Sequence, residues 1–436
     1  MKLMSKHKKE EESQKEHKKN WQEMLASVED IKSFLADRIY LRHNVITGRV
    51  ECRVPQKDYF SGGGAECLCT DRWLPISDRI VNSLWVELSM AKTVRAQDIY
   101  RVMESDFVPD FHPFRYYLDH LPPWDGTSDF ILEMSTSVMV KGDVEEQMLF
   151  AEYLKKWLVG MVAGWIDPLV VNNVILVLIG AQGSYKTTWF NYLLPPELKQ
   201  YFYTKTNANR MGRDDLLTLA QYGLVCCEEL DTMRPSELNQ LKAAVTMPSI
   251  DERAAYAHFH EHRKHIASFC GTGNNPQFLS DPTGNRRWLP FEVERIRSPR
   301  DDPFNYEGIY SQAYTLYQEG FRFWFSQEEV QRLSLRNEAF EVPVQEQELV
   351  DIFFRKPLHS SEGEYMPVAR AMQVMGGYVA CRLSPVEMGR AFTKLGFASR
   401  RRHGMKGYIV VQRDAGEIRT YLRRLAVDTP EDDEPF

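Results

Sequence analysis

The chain has 436 residues, 43% hydrophobic and 26% charged, with a formal net charge of −7. That length predicts about two to four domains of ordinary globular composition. The longest apolar run, Val174 to Ile179, is far too short to span a bilayer, and no apolar signal segment opens the chain, so the cytoplasm is the expected compartment. The acidic balance excludes a uniformly basic coat and leaves room for one basic groove.

Residues 1–20 are almost all Lys, Glu, Gln, His and Ser. Such a segment cannot bury apolar area and reads as a charged, disordered tail. Residues 21–143 are expected to be mainly helical: Ile76, Ile80, Leu84 and Leu88 recur at spacing four, and Gly62-Gly63-Gly64 marks a loop. Cys67 and Cys69 form a C-x-C pair near Cys52, but a zinc site there needs a fourth ligand at suitable spacing. Cys226, Cys227 and Cys270 lie in apolar runs and read as core thiols.

Residues 144–325 carry the expected core. An amphipathic helix is predicted from Glu145 to Trp165. The apolar, β-branched run Asn173 to Ile179 has the pattern of a buried parallel strand. A glycine-containing turn and a helix from Tyr185 to Leu194 follow it. Two more strands are predicted at Leu224 to Cys227 and at His265 to Cys270. Strand–turn–helix units of this kind predict an α/β fold with a parallel sheet. In residues 337–426, Glu346 to Phe354 is amphipathic, and Ser384-Pro385 opens a helix that runs to Leu395. Arg400, Arg401, Arg402 and Lys406 then precede a strand from Tyr408 to Val411, with Phe392, Phe397 and Tyr408 interleaved. The segment looks like a winged helix whose basic wing neutralises phosphates. Residues 427–436 form an acidic tail.

The sequence Gly180-Ala181-Gln182-Gly183-Ser184-Tyr185-Lys186-Thr187 has the spacing of a phosphate-binding P-loop between a strand and a helix. Backbone N–H groups of Gly180, Gln182, Gly183, Ser184 and Tyr185, with the helix start at Thr187 and Thr188, suit an anion. Lys186 would contact the β and γ phosphates, and the Thr187 hydroxyl would ligate Mg²⁺. Tyr185 stands where glycine usually precedes the lysine; the position need not take a positive φ if the turn is built differently, since Gly183 supplies flexibility. The strand Leu224–Cys227 runs into Glu228 and Glu229, the first read as the metal-side acid and the second as the base or water-positioning group. Asn274 ends the third strand and suits a sensor for the attacking water. Arg286 and Arg287 follow a turn and could supply a γ-phosphate finger.

The order of these motifs, with His112-Pro113, Tyr117-Leu118 and Trp124-Asp125-Gly126 before them and Asp231, Leu241-Lys242 and Thr246 between them, resembles the virulence-associated protein E family. Its members are primase-associated P-loop ATPases of phages, plasmids and genomic islands, similar to superfamily 3 helicases. The resemblance implies an AAA+-like core with ATP and Mg²⁺ as cofactors. It implies a homo-oligomeric ring, a hexamer being one form, with Arg286 or Arg287 in the neighbouring subunit's site and a primase as partner. It implies single-stranded or forked DNA as substrate, met by Lys242, Arg253, Lys264 and His265 in a central pore. The N-terminal region has no paired-acid polymerase motif or zinc finger, so the chain reads as the ATPase portion without its own primase. The implied function is an ATP-dependent DNA helicase or translocase in replication of a mobile element or phage. The alternative is a nucleotide-regulated nucleic-acid-binding switch, or a phage-interference effector, without unwinding.

Overall fold

The structure, a computed structural model, describes residues 24–54, 72–205, 213–252, 261–280, 282–342, 345–359, 362–376, 383–402 and 405–428. The charged tail at the start, Gly62-Gly63-Gly64, Cys67, Cys69, Arg253 and the acidic end from residue 429 onward lie outside the described residues. The fold is mixed α/β, and the chain divides into two compact units, Met1–Pro276 with Asp281–Glu338 and Gln277–Ser280 with Ala339–Phe436.

The first unit opens with α1 (Val28–Arg38). The Ser27 hydroxyl accepts from the Asp30 N–H at 3.2 Å while the Asp30 carboxylate accepts from the Ser27 N–H at 2.9 Å, a reciprocal capping box. Next come β1 (Tyr40–Asn44), β2 (Arg49–Arg53), β3 (Leu74–Pro75), α2 (Asp78–Ser89), α3 (Ala96–Met103) and β4 (Asp110–Phe111). The strands make a sheet of order β3-β2-β1-β4, where the sequence predicts mainly helices. The helix predicted around Ile80 is α2, but it starts after Ser77 and buries Val81, Leu84 and Leu88, leaving Ile76 ahead of it. Cys52 is buried among Ile31, Leu35 and Leu84, and burial pushes its thiol up to about 11, so it is a core thiol.

After α4 (Pro113–Asp119) and α5 (Phe130–Ser135) the main sheet begins. Its strands are β5 (Val138–Val140), β6 (Ile175–Ile179), β7 (Phe202–Lys205), β8 (Leu224–Cys227), β11 (Ser268–Gly273) and β12 (Trp288–Ile296). They lie in the order β5-β12-β6-β11-β8-β7. All neighbours are parallel except the edge pair β5 and β12. Every residue of β6, β8 and β11 is buried, as a sheet covered on both faces requires.

The helix before β6, α6 (Val144–Ile166), is predicted to be amphipathic. It is instead enclosed on nearly every side from Phe150 to Trp165. Two tryptophans on it find backbone partners: Trp157 Nε1 donates to Phe269 O and Trp165 Nε1 to Gly223 O, both at 3.0 Å. Those bonds satisfy buried indoles that would otherwise cost free energy. The crossovers carry α7 (Lys186–Leu193), α8 (Arg213–Gln221), α9 (Pro235–Val245) and the hairpin of β9 (Ser249–Glu252) and β10 (Glu261–Lys264). The helices α10 (Tyr306–Gln318) and α11 (Gln327–Asn337) close the unit.

The second unit runs α12 (Gln345–Phe353), β13 (Phe354–Arg355), β14 (Glu364–Pro367), α13 (Val368–Gly376), α14 (Pro385–Lys394), β15 (Ser399–Arg402), β16 (Met405–Gln412) and α15 (Ala415–Asp428). Ser384 caps α14 by accepting from the Glu387 N–H, with Pro385 in its first turn. The core gathers Val350, Phe353, Met366, Met388, Phe392 and Tyr408, and Tyr408 stacks on Phe392 with centroids 4.8 Å apart. β16 pairs with β13, β14 and β15.

Candidate functional site

The three buried parallel strands β6, β8 and β11 end together, because Gly273 pairs with Ile179 and Gly271 with Cys227. The turn after each strand therefore opens on one crevice, the usual ligand position in an open α/β sheet. The crevice is a cleft of about 400 Å³ lined by Gln182, Gly183, Ser184, Tyr185, Lys186, Thr187 and Thr188 from the first turn, Glu228 and Glu229 from the second, and Thr272, Gly273 and Asn274 from the third. Gly180 follows β6 directly and donates its N–H to Gly273 O at 3.1 Å.

Lys186 is 7% exposed. Its ammonium donates to Gly180 O at 2.6 Å and Ala181 O at 2.7 Å, with Ser184 Oγ at 3.3 Å and Asn274 Oδ1 at 3.4 Å. Burial lowers its pKa, and the charge of Asp231 opposes that shift. An anion in the cleft would give the ammonium an oppositely charged partner in place of neutral carbonyls.

The two non-glycine residues at positive φ among the described residues both line this cleft: Tyr185 at φ 63° and Glu229 at φ 54°. The left-handed conformation costs an L-residue roughly 1–2 kcal/mol, and such strain collects at functional sites. Tyr185 corrects the sequence reading. Its position does take a positive φ, as does Gly183 at 82°, because the chain must turn sharply into α7. Tyr185 is 47% exposed, so little packing is lost on changing it. We expect Tyr185→Gly to leave the thermal midpoint equal or higher, and Tyr185→Val, β-branched and poorly suited to positive φ, to fall below the glycine variant by about 1–2 kcal/mol. Equal midpoints for the valine and glycine variants would contradict the strain.

The turn at Glu229 folds the chain back over β11. A Cβ on Gly271 would lie 2.4 Å from Leu230 Cδ1, and one on Gly273 would lie 3.2 Å from Asp231 Oδ1. The glycines of Gly271-Thr272-Gly273 thus make room for Leu230 and Asp231. Asp231 Oδ2 accepts the Asn275 N–H at 3.1 Å, which ties the turn after β8 to the turn after β11. Its Oδ1 is buried without a hydrogen-bond partner, the kind of acceptor that a cation-bound water satisfies. The sequence placed Asp231 among the residues of the family resemblance but gave it no role in the site.

Other expected site residues stand elsewhere. β12 runs parallel to β6 with Trp288 beside Ile175 and Glu292 beside Ile179. Arg286 and Arg287, just ahead of Trp288, therefore sit at the opposite end of the strands from the cleft. Four strand residues, about 13 Å, separate Trp288 from the cleft end. Arg286 is exposed and Arg287 half-buried. Lys242 is buried within α9. The Lys264 ammonium donates to Gly164 O and Asp167 O, capping the end of α6, and burial first, then Arg115, pushes it down to about 8. His265 is buried against Met247 O. These three are buried or bonded within the fold, which charge in a sequence does not show. Arg400, Arg401, Arg402 and Lys406 are all exposed on the β15–β16 hairpin.

Among the described residues no group of three or more His, Cys, Asp or Glu stands together to hold a metal ion. Mg²⁺ asks for less, one or two carboxylates beside phosphate oxygens and water; Thr187 and Glu228 on one cleft, with the orphaned Asp231 oxygen nearby, fit that demand. Among the described residues no helix is long and apolar enough to cross a membrane.

A mostly parallel sheet whose strand ends share a lysine-bearing glycine turn and two acids defines an α/β protein with a crevice at those strand ends. Residues 118–342 match the virulence-associated protein E-like domain. That is just over half of the chain, and the chain belongs to this family. Two solved structures of the NrS-1 C-terminal region are also similar. The apo structure has 12% identity and a TM-score of 0.44, covering 87% of this chain and 98% of that one. The A form has 11% identity and a TM-score of 0.43, covering 88% and 98%. No curated protein matches the chain.

Proposed function

We propose that the chain is a P-loop ATPase with an AAA+-like core that works on nucleic acid as an oligomer in replication of a mobile element or phage. The observation that carries this reading is the strained turn Gly180–Thr187 facing Glu228, Glu229 and Asn274 across one cleft at the ends of adjacent parallel strands. Backbone N–H groups of the turn and the start of α7 cradle the β and γ phosphates. Lys186 leaves its loop carbonyls for phosphate oxygens. Thr187 and Glu228 would hold Mg²⁺, which when bound neutralises charge developing on the phosphates. Glu229 takes the proton of the attacking water, and Asn274 orients that water. The second unit acts as a winged helix: α13 and α14 followed by the β15–β16 wing offer Arg400, Arg401, Arg402 and Lys406 to a phosphate backbone.

ATP hydrolysis with and without single-stranded DNA, in wild type and in Lys186→Ala, tests the reading. Turnover is expected to rise with DNA and to vanish in the variant, since Lys186 alone brings full charge from the turn. No turnover in wild type at concentrations that support oligomers would sink the ATPase reading and leave a nucleotide-binding switch.

A further inference from the structure

The sheet β3-β2-β1-β4 has two unlike faces. One carries Leu41 and Cys52 onto α1, α2 and α3. Side chains alternate along a strand, so Tyr40 and Arg42 on β1, with Arg53 paired to Tyr40 on β2, belong to the other face. Trp73, just before β3, and Phe111, on β4, complete it. There the rings and guanidinium groups alternate in one continuous ladder. Arg53 lies 4.9 Å from the Tyr40 ring centre and 5.6 Å from that of Trp73. Arg42 lies 4.2 Å from Trp73 and 3.6 Å from Phe111. Phe111 then meets Tyr116 with centroids 5.3 Å apart.

Both ends of the ladder are exposed, Tyr40 by 51% and Tyr116 by 54%, and the His120 ring extends the Tyr116 end at 4.0 Å between centroids. Arg42 is held by Glu51, with Nε at 2.7 Å and Nη2 at 2.6 Å from one carboxylate oxygen; its charge is answered, and it spaces the rings. Arg53, half-buried, and Arg49, exposed, bring positive charge to the same face. Core packing accounts for the middle of the ladder but not for the exposure of Tyr40 beside Arg53 at one end or of the Tyr116–His120 ring pair at the other.

We propose that this face is a stacking track for single-stranded nucleic acid, separate from the basic hairpin of the second unit. Every base offers a flat π-face, so exposed tyrosines grip a single strand with little regard for sequence, while Arg49 and Arg53 meet its phosphates. A duplex keeps its bases stacked on one another and cannot use such a track. The proposal is independent of nucleotide hydrolysis.

The test uses the full chain with Arg400, Arg401 and Arg402 changed to alanine, so that the hairpin contributes little. A fluorescein-labelled oligothymidine and a labelled duplex of equal length are titrated by anisotropy at low salt. Changing Tyr40→Ala and Tyr116→Ala together should weaken single-strand binding about tenfold or more and duplex binding by less than about twofold. Tyr40→Trp with Tyr116→Trp should keep single-strand affinity, because the stacking surface is retained. Arg53→Gln should reduce the slope of log affinity against log salt by about 0.7. Unchanged affinity in the alanine pair, equal losses for single strand and duplex, or no single-strand binding by the hairpin-silenced chain would each overturn the track. Should the alanine pair lower the thermal midpoint, the Arg53→Gln salt slope decides: an unchanged slope overturns the proposal.

Discussion

Arg286→Ala is expected to lower ATP turnover by about three to five orders of magnitude, and mixing it with Lys186→Ala subunits is expected to restore part of that loss. The reason is the direction of the strands. The cleft lies where β6, β8 and β11 end, whereas Arg286 precedes β12 at the far end of the same sheet. An arginine there lies too far from its own chain's cleft, and on the proposed ring reading it would meet the cleft of the next copy. The Arg286→Ala subunit keeps an intact cleft and lacks a finger; the Lys186→Ala subunit lacks a working cleft and keeps its finger. A mixed ring pairs the two sound halves at some interfaces. Phosphate release measured across mixing ratios should therefore peak between the pure variants. Flat, additive rates at every ratio would show that Arg286 does not act across an interface. Arg286→Lys should rescue little, since a lysine lacks the planar fork that matches phosphate oxygens. Arg286 is the better candidate of the pair because it is exposed, whereas Arg287 is half-buried.

What the sequence made readable follows from how directly each feature depends on residue type. β6 and β8 are short apolar runs beside turn residues, and burial on both faces leaves such strands no other pattern. The spacing from Gly180 to Thr187 is itself the geometry of the turn. β12 was not readable: Pro290 sits inside it and charges fill its second half, both signals against a central strand. β7 is mostly half-buried and only four residues long, Phe-Tyr-Thr-Lys. β11 was read three residues early, because its end, Gly271-Thr272-Gly273, looks like a loop until Leu230 and Asp231 are seen to need that space. The N-terminal sheet is built from strands of five residues or fewer that mix arginine with apolar positions, too short for a period of two to show. Dihedral angles and burial are the least readable of all. Nothing in the letters placed Tyr185 in the left-handed region or turned the Lys264 ammonium onto the end of α6.

Glu229→Gln should lower ATP turnover by about two to four orders of magnitude while leaving nucleotide affinity near that of wild type. Glutamine keeps the size and polarity of the side chain and removes only its ability to take a proton. Glu228→Gln should instead weaken Mg²⁺-dependent nucleotide binding, as loss of a metal-side carboxylate requires. Titration of a fluorescent ATP analogue with and without Mg²⁺, beside single-turnover hydrolysis, separates the two. If Glu228→Gln leaves binding intact and abolishes turnover, the assignments are reversed. Asp231 makes the argument sharper, because it links these acids to Asn274 through the Asn275 N–H. Asp231→Asn keeps an oxygen to accept that bond, whereas Asp231→Ala does not. If the link sets the spacing between Glu229 and Asn274, asparagine should retain much of the turnover and alanine little, with nucleotide affinity similar in both. Equal loss in both variants would mean that the charge of Asp231, facing Lys186, matters more than its hold on the neighbouring strand end.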